Sequence, residues 1–478
     1  MGFHKVLKEK FGFDEFRLGQ EDVIRDVVAG NDTIAILPTG IGKSLCYQLP
    51  AYLLPGTVLI ISPLVALMED QVAIMKQNGE KQVVALNSFL SFREKGRIIE
   101  NLASYKFIFI SPEMLIQQHI SVKLKNIHLS LIVIDEAHCI SQWGFDFRPD
   151  YLRIGEFFES VNRPNILALT ATADNKVIED IICYLQLENP VIHRHSLDRP
   201  NISFSIIKLK AQLDKTTWIS ERVHETTGPG IIYVSSRRRA DELSSFLTQQ
   251  GVSVASYHAG MEQMDRSFVQ EQFINGEVQW ICATNAFGMG IHKDNIRQII
   301  HEHLPSTIAG YIQEIGRAGR DGELSAATLL YSPEDEGRTR FIIQEDMPQE
   351  EEIRHYSNLL ADNILKSEAM TMAGISETGK RVIDYYLDRM SLDQTIEQLK
   401  EIRRNKETQL QQVLQIINSD KCIRKRILAL FDEKVLNRPN SCCTICGIES
   451  PDWLKDCLIE NSVRQPIKWT ERLVMLLG

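Results

Sequence analysis

No stretch of this 478-residue chain comes near the roughly 20 consecutive apolar residues that a bilayer-crossing helix needs, which excludes a protein built on membrane-spanning helices. The charged opening Met1 to Glu15 has no apolar core of the kind a secretory signal requires. Nine cysteines are too few and too scattered for a disulfide framework, so a small secreted scaffold is excluded as well. Positive charge is also short. With 53 Lys and Arg against 63 Asp and Glu the net charge is −10, so a grip on nucleic acid through bulk electrostatics is excluded and any such contact has to be local. Low-complexity tracts and sustained coiled-coil heptads are missing too. The expectation is an intracellular, cytoplasmic protein that makes no use of membranes.

What is present reads as ordinary globular material, 44% hydrophobic and 24% charged, long enough for about two to four domains. Short continuous apolar runs recur at Thr33 to Leu37, Thr57 to Ile61, Lys106 to Ile110, Leu131 to Ile134 and Ile166 to Thr170. Runs of that kind, unlike alternating ones, predict strands covered on both faces by crossover helices, hence a parallel α/β sheet. After the turn residues Glu225 to Gly230 the pattern restarts, with strands at Ile231 to Val234, Val252 to Ser256, Gln279 to Ala283 and Gln298 to Glu302 and a helix near Arg239 to Gln249. Two similar α/β lobes are implied, with a boundary near Asp198 to Asn201. From about Asp335 the pattern becomes helical. Ile396, Leu399, Ile402, Leu410, Val413 and Ile417 form one apolar stripe, predicting an amphipathic helix over 394–418.

Chemistry concentrates in three places. Pro38, Thr39, Gly40, Ile41, Gly42, Lys43 and Ser44 follow the first strand and precede a helical pattern, the setting of a phosphate-binding loop. Its glycines let N–H groups turn onto phosphate oxygens, Lys43 reaches the β and γ phosphates, and Ser44 holds Mg²⁺. Leu37 stands where the usual pattern has glycine. The strand ending at Ile134 delivers Asp135 and Glu136, suited to metal coordination and to activation of water respectively. By themselves those two carboxylates serve equally as a helix N-cap. Gln313, Arg317 and Arg320, placed by helical spacing along one face, supply cations for charge spread over a transferring phosphoryl group, or else form an exposed basic helix.

Taken in order, these segments resemble the RecQ family of superfamily 2 DNA helicases from about Phe11 to Cys446. The resemblance is carried by Phe11-Gly12-Phe13 with Phe16 to Gln20, the phosphate loop running on through Leu45-Cys46-Tyr47-Gln48, Ser62-Pro63-Leu64 with Asp70-Gln71, and Asp135-Glu136-Ala137-His138. It continues through Ala168 to Ala173, Tyr257 to Met261, Ala283 to Ile291 and Gln313 to Gly322. It implies two tandem RecA-like parallel-sheet lobes with ATP bound between them, followed by a helical zinc-binding subdomain. Domains are expected at 1–200, 201–334 and 335–450, with a short tail at 451–478. Arg17 and Gln20 would contact the adenine, His138 joins the nucleotide-binding set, and Gln313 to Gly322 is the arginine-finger segment. The implied activity is ATP- and Mg²⁺-dependent translocation 3′ to 5′ along single-stranded DNA with duplex unwinding, in recombination and repair.

The loop after His138 would couple the motor to DNA. Trp143, Phe145 and Phe147 offer faces on which bases stack, and Arg148 meets a phosphate, although the aromatics also suit a core. Family members commonly carry His at the position of Phe145, which leaves open how DNA contact signals to the ATP site. Cys422, Cys442, Cys443 and Cys446 would form a structural Zn²⁺ site. The family's usual spacing puts a ligand where Asn440 stands, so Cys442 substitutes or a fourth ligand comes from elsewhere, Cys457 included. The 32 residues after Cys446 are too few for a winged-helix domain. The expected partners are single-stranded and 3′-tailed duplex DNA, with single-stranded-DNA-binding or recombination proteins, and the chain is expected to act as a monomer. Two other readings are an RNA helicase of the same superfamily and a non-enzymatic annealing protein that uses nucleotide as a switch.

Overall fold

The computed structural model describes residues 2–87, 89–141, 149–158, 163–226, 228–288, 293–345, 347–435 and 437–448. Trp143, Phe145, Phe147 and Arg148, which the sequence reading expects to meet DNA, and Cys457 with the rest of the tail, lie outside them.

The described chain divides into two compact units. The first holds a seven-stranded parallel sheet of β1 (Thr33–Ile36), β2 (Thr57–Ile61), β3 (Val83–Leu86), β4 (Phe107–Ile110), β5 (Leu129–Ile134), β6 (Ile166–Thr170) and β7 (Val191–Arg194), in the order β3-β4-β2-β5-β6-β1-β7. Ala35, Val58, Ile60, Phe107, Phe109, Leu131, Val133, Leu167 and Leu169 join one buried cluster, while the alternate residues Ile34, Leu59, Ile108 and Ile132 are equally buried. Covering on both faces is what continuous apolar runs predict. Because the strands run parallel in register (Ile36 opposite Thr170, Ile134 opposite Ala168), the carboxyl ends of β1, β5 and β6 lie side by side. Ligands of open α/β sheets bind outside such ends.

Residues 340–411 and 428–434 group with this first unit. The predicted amphipathic helix is Leu392–Ile417, and its whole stripe is buried. Ile396, Leu399 and Ile402 pack there with Ile353, Tyr356 and Ile383 of neighbouring helices.

The second unit contains 199–339, 412–427 and the chain from Val435 onward. Its sheet comprises β8 (Ile202–Lys208), β9 (Gly230–Tyr233), β10 (Val254–Tyr257), β11 (Trp280–Ala283), β12 (Gln298–His301) and β13 (Ser325–Tyr331), all parallel, in the order β10-β11-β9-β12-β13-β8. Four strands were not expected from the sequence. β3 is short. β7 is an edge strand whose residues are exposed in alternation, β8 is the opposite sort of edge, buried only in its first half, and β13 is built largely of small residues. No helix among the described residues is long and apolar enough to cross a membrane.

Candidate nucleotide site and metal centre

The phosphate loop leaves β1 and turns twice through left-handed glycines, Gly40 at φ +85° and Gly42 at φ +81°, before helix Leu45–Ala51. It is braced from Arg17 to Gln20. Arg17 Nη1 donates to the Gly40 carbonyl at 2.7 Å, and Gln20 Nε2 donates to the carbonyls of Ile41 and Gly42 at 2.8 and 3.0 Å. Gln20 Oε1 in turn accepts the Arg17 backbone N–H at 2.8 Å. A Cβ on Gly42 would come within 3.1 Å of Gln20 Nε2 and press on that brace, while the positive φ is what favours glycine there.

From the carboxyl end of β5 the chain turns sharply. Asp135 still pairs through its N–H with the Ile61 carbonyl at 2.9 Å, but Glu136 adopts φ 48°, ψ 49°, a conformation that costs a non-glycine residue of order 1 kcal/mol. The turn is secured by Asp135 Oδ1, which accepts the Glu136 N–H at 3.0 Å, and by the Tyr151 hydroxyl, which donates to the Asp135 carbonyl at 3.0 Å. It brings Glu136 Oε1 to 4.0 Å from Lys43 Nζ.

His138 closes the other side. Its Nδ1 lies 2.9 Å from Thr170 Oγ1 and 3.4 Å from Glu136 Oε2. Thr170 Oγ1 already donates to the Thr172 carbonyl at 3.1 Å, so the remaining role is acceptor and the imidazole is the Nδ1–H tautomer. Burial, the largest influence, holds its pKa below the ordinary histidine value, so the ring is neutral and its one Nδ1–H goes to Thr170, with the Glu136 carboxylate alongside. Asp135 is the opposite case. Burial and then the neighbouring Glu136 push its carboxyl up to about 7, against a smaller downward pull from Lys43.

This shift has a measurable sign. Between the unfolded value of 3.8 and about 7 the unfolded chain is ionised at Asp135 while the folded chain is not, so stability falls as pH rises through that window and stays reduced above it. Asp135→Asn should therefore raise the melting temperature of the Mg²⁺-free protein at pH 8 by roughly a few degrees, with no gain at pH 4. Melting curves across pH would check this, and equal gains at both pH values would refute it.

In the second unit Gln313 and Arg317 are buried. The single helical face expected for Gln313, Arg317 and Arg320 is not formed, because helix Ile308–Ile315 stops before the arginines. Gly319 takes φ +52° and donates its N–H to the Ile296 carbonyl at 2.8 Å, which pulls the backbone off the helical path. Arg317 and Arg320 therefore sit in a tight loop. The Arg317 guanidinium lies so close to Gly288 that a Cβ there would stand 2.1 Å from its Cζ. Burial and then the charge of Arg317 lower the pKa of Arg320 to about 10, which marks an enclosed cationic pair suited to an anion. Glu314, on the preceding helix, accepts from His301 Nε2 at 2.8 Å, and His301 stacks on Tyr233.

The same unit gathers the four predicted cysteines. The sulfurs of Cys422, Cys442, Cys443 and Cys446 all lie within 4.8 Å of one another, with Cys422 to Cys442 at 3.7 Å and Cys422 to Cys443 at 4.0 Å. A tetrahedron of Zn–S bonds of about 2.3 Å has S···S edges of about 3.8 Å, so these positions fit zinc without rearrangement. Burial works against a thiolate at Cys443, but backbone N–H groups of Cys446, Ile423 and Ile445 outweigh it and bring the thiol down to about 7. Cys442 fills the place for which the usual spacing left a vacancy at Asn440. Sequence reading assigned no role to the Thr170 hydroxyl, the Tyr151 hydroxyl or His301. Each acts through a hydrogen bond to a residue distant in the chain, and no local pattern signals that.

Two RecA-like sheets, one bearing a phosphate loop and a strand-end Asp-Glu pair, define the core of a helicase-type phosphate-loop protein. Family models agree along the chain: the DEAD/DEAH box helicase model matches residues 17–181, the helicase conserved C-terminal domain 212–322, and the RecQ zinc-binding model 386–447. The chain is 41% identical over 459 residues to the probable ATP-dependent DNA helicase RecS of Bacillus subtilis, covering 93% of this chain and 92% of that protein. It is 41% identical over 333 residues to the ATP-dependent DNA helicase RecQ of Pasteurella multocida, 69% of this chain but 52% of the relative. The chain belongs to the RecQ helicase family. Among solved structures, the helicase Lhr of Mycobacterium smegmatis, bound to single-stranded DNA and AMP-PNP, shares the fold with a TM-score of 0.57 at 18% identity, over 86% of this chain and 57% of Lhr.

Proposed function

We propose that this protein is an ATP- and Mg²⁺-dependent DNA helicase that moves 3′ to 5′ along single-stranded DNA and separates duplex, in recombination and repair. The observation that carries the reading is the approach of Lys43 to Glu136 at the adjoining ends of the first sheet, 4.0 Å apart with Asp135 beside them. A nucleotide switch needs the lysine, but it has no use for a carboxylate held in a strained turn where an attacking water would sit. The names of the relatives, probable ATP-dependent DNA helicase RecS and ATP-dependent DNA helicase RecQ, support the same activity.

In this reading Lys43 is the counter-ion of Glu136 until phosphates take it over. Glu136 is then left to orient and deprotonate water, with His138 Nδ1 3.4 Å from its second oxygen. Ser44 and Asp135 would hold Mg²⁺, which offsets charge on the β and γ phosphates when bound. Arg17 and Gln20 brace the loop and contact the base. Arg317 and Arg320, with Gln313, supply the cationic complement that phosphoryl transfer demands. The four-cysteine cluster holds Zn²⁺ as a structural ion. The domains are 1–200, 201–334 and 335–450, and the protein works as a cytoplasmic monomer. Trp143, Phe145, Phe147 and Arg148 serve as the DNA-coupling element.

The test compares a 3′-tailed with a 5′-tailed duplex of equal length. Unwinding of the first by at least about tenfold over the second is expected, and the reverse preference sinks the polarity. ATPase stimulation by DNA and RNA oligonucleotides of the same length separates a DNA from an RNA motor. Stimulation by RNA alone would overturn the substrate.

A further inference from the structure

The loop carrying Arg317 and Arg320 is held by a third arginine that no phosphoryl-transfer role explains. Arg199, just ahead of β8, points its guanidinium at the backbone of that loop. Its Nη1 donates to the Gly316 carbonyl at 3.3 Å, and its Nη2 donates to the carbonyls of Ala318 and Gly319 at 3.1 and 2.5 Å. Asn201 Nδ2 adds bonds to the Gly319 and Glu323 carbonyls at 2.8 and 2.9 Å. These acceptors flank Arg317 on both sides and include the orphan carbonyls that follow the end of helix Ile308–Ile315.

We propose that Arg199 is a positioning residue for ATP hydrolysis, clamping the backbone of the arginine loop so that Arg317 and Arg320 present their charge at a fixed place. The inference rests on the functional reading of those two arginines given above.

Three observations favour a clamp over simple packing. A planar fork that spans three carbonyls fixes both the distance and the tilt of a loop, which a point charge on a flexible stem does not. A third cation beside Arg317 and Arg320 is electrostatically unfavourable, and an apolar residue would fill the same volume without that repulsion. The repulsion is tolerated where the loop geometry itself matters. Arg199 is in turn anchored from behind. Arg424, fully buried and 4.8 Å above the Phe204 ring, donates from Nη1 to the Arg199 carbonyl at 3.0 Å and from Nη2 to the Ile202 carbonyl. Arg424 lies two residues after Cys422, and Phe204 pairs with the backbone at Cys443. The cysteine cluster, Arg424, Arg199 and the arginine loop thus form one continuous series of contacts.

The experiment uses the full chain and measures kcat and KM for ATP at saturating single-stranded DNA, affinity for a fluorescent ATP analogue and for DNA, and melting temperature. Arg199→Ala should lower kcat by about 30- to 100-fold, the size expected for an arginine finger displaced by about 1 Å, with both affinities within about threefold of the parent. Arg199→Lys, which retains charge and volume but loses the fork, should fall between them and serves if the alanine variant does not fold. In an Arg317→Ala background Arg199→Lys should lower kcat by a smaller factor than it does in the parent, because part of the clamp's effect acts through Arg317 and the rest through Arg320. A kcat within threefold of the parent for Arg199→Ala, or the full loss reappearing in the Arg317→Ala background, overturns the clamp. If Arg317→Ala and Arg320→Ala both turn over normally, the reading of the arginine loop falls and the clamp with it. Loss in those two with none in Arg199→Ala removes the clamp alone.

Discussion

Lys43→Ala should lower DNA-stimulated ATP hydrolysis by about 10³-fold or more, the effect of losing a preorganised charge at a phosphoryl-transfer centre. Two consequences of the geometry compound here. Lys43 is the cation beside Glu136, 4.0 Å away, and its charge also favours ionisation of Asp135. Without it, two adjacent carboxylates lose that compensating charge, and the already raised pKa of Asp135 rises further. The variant should therefore lose affinity for Mg²⁺-ATP as well as turnover, by about 10- to 100-fold for one charge-assisted contact. Glu136→Gln should behave differently. Nucleotide binding should survive, since the amide keeps the shape of the strained turn, while hydrolysis falls comparably. Equilibrium binding of a fluorescent ATP analogue beside steady-state turnover separates the two variants. Normal turnover in Glu136→Gln would leave a nucleotide switch standing.

The lobes were legible in the sequence because buried parallel strands have to be apolar on both faces, and β1, β2, β4, β5 and β6 carry little else. The edge strands were not. β7 needs only alternate apolar residues, so His193 and Arg194 disguise it as a loop. In the site, Lys43, Asp135 and Glu136 could be read because each chemistry demands one residue type beside a strand end. The helical spacing of Gln313, Arg317 and Arg320 misled, since glycine at 319 and its bond to Ile296 end the helix early, a tertiary effect with no local signature. Arg17 and Gln20 were read only as base contacts. Their bonds to the phosphate-loop carbonyls depend on a contact between segments more than 20 residues apart. The four cysteines were found by residue type, with Cys442 one of two ways to replace a ligand at Asn440, and the structure brings its sulfur together with the other three.

Cys443→Ser should reduce bound zinc from about one equivalent to near zero and destabilise the second unit by several kcal/mol, a fraction of the roughly 10–16 kcal/mol that structural zinc supplies to small zinc domains. The segment from Asn437 to Ile448 has almost no regular structure of its own, so little besides the metal fixes it. It nevertheless extends the sheet. The Phe204 N–H donates to the Cys442 carbonyl at 3.1 Å and the Thr444 N–H donates to the Phe204 carbonyl at 3.0 Å, which covers the edge strand β8. Loss of the ion should release that cover and expose unpaired β8 backbone, so aggregation during thermal melting should increase together with the fall in melting temperature. Cys183, exposed and not among the four clustered cysteines, supplies the control, and Cys183→Ser should change neither zinc content nor stability. Metal analysis by mass spectrometry with parallel melting curves decides the matter. Full zinc occupancy and an unchanged melting temperature in Cys443→Ser would show that Cys443 is not a required ligand, and the stabilising role of its segment would then belong to the Phe204 pairing.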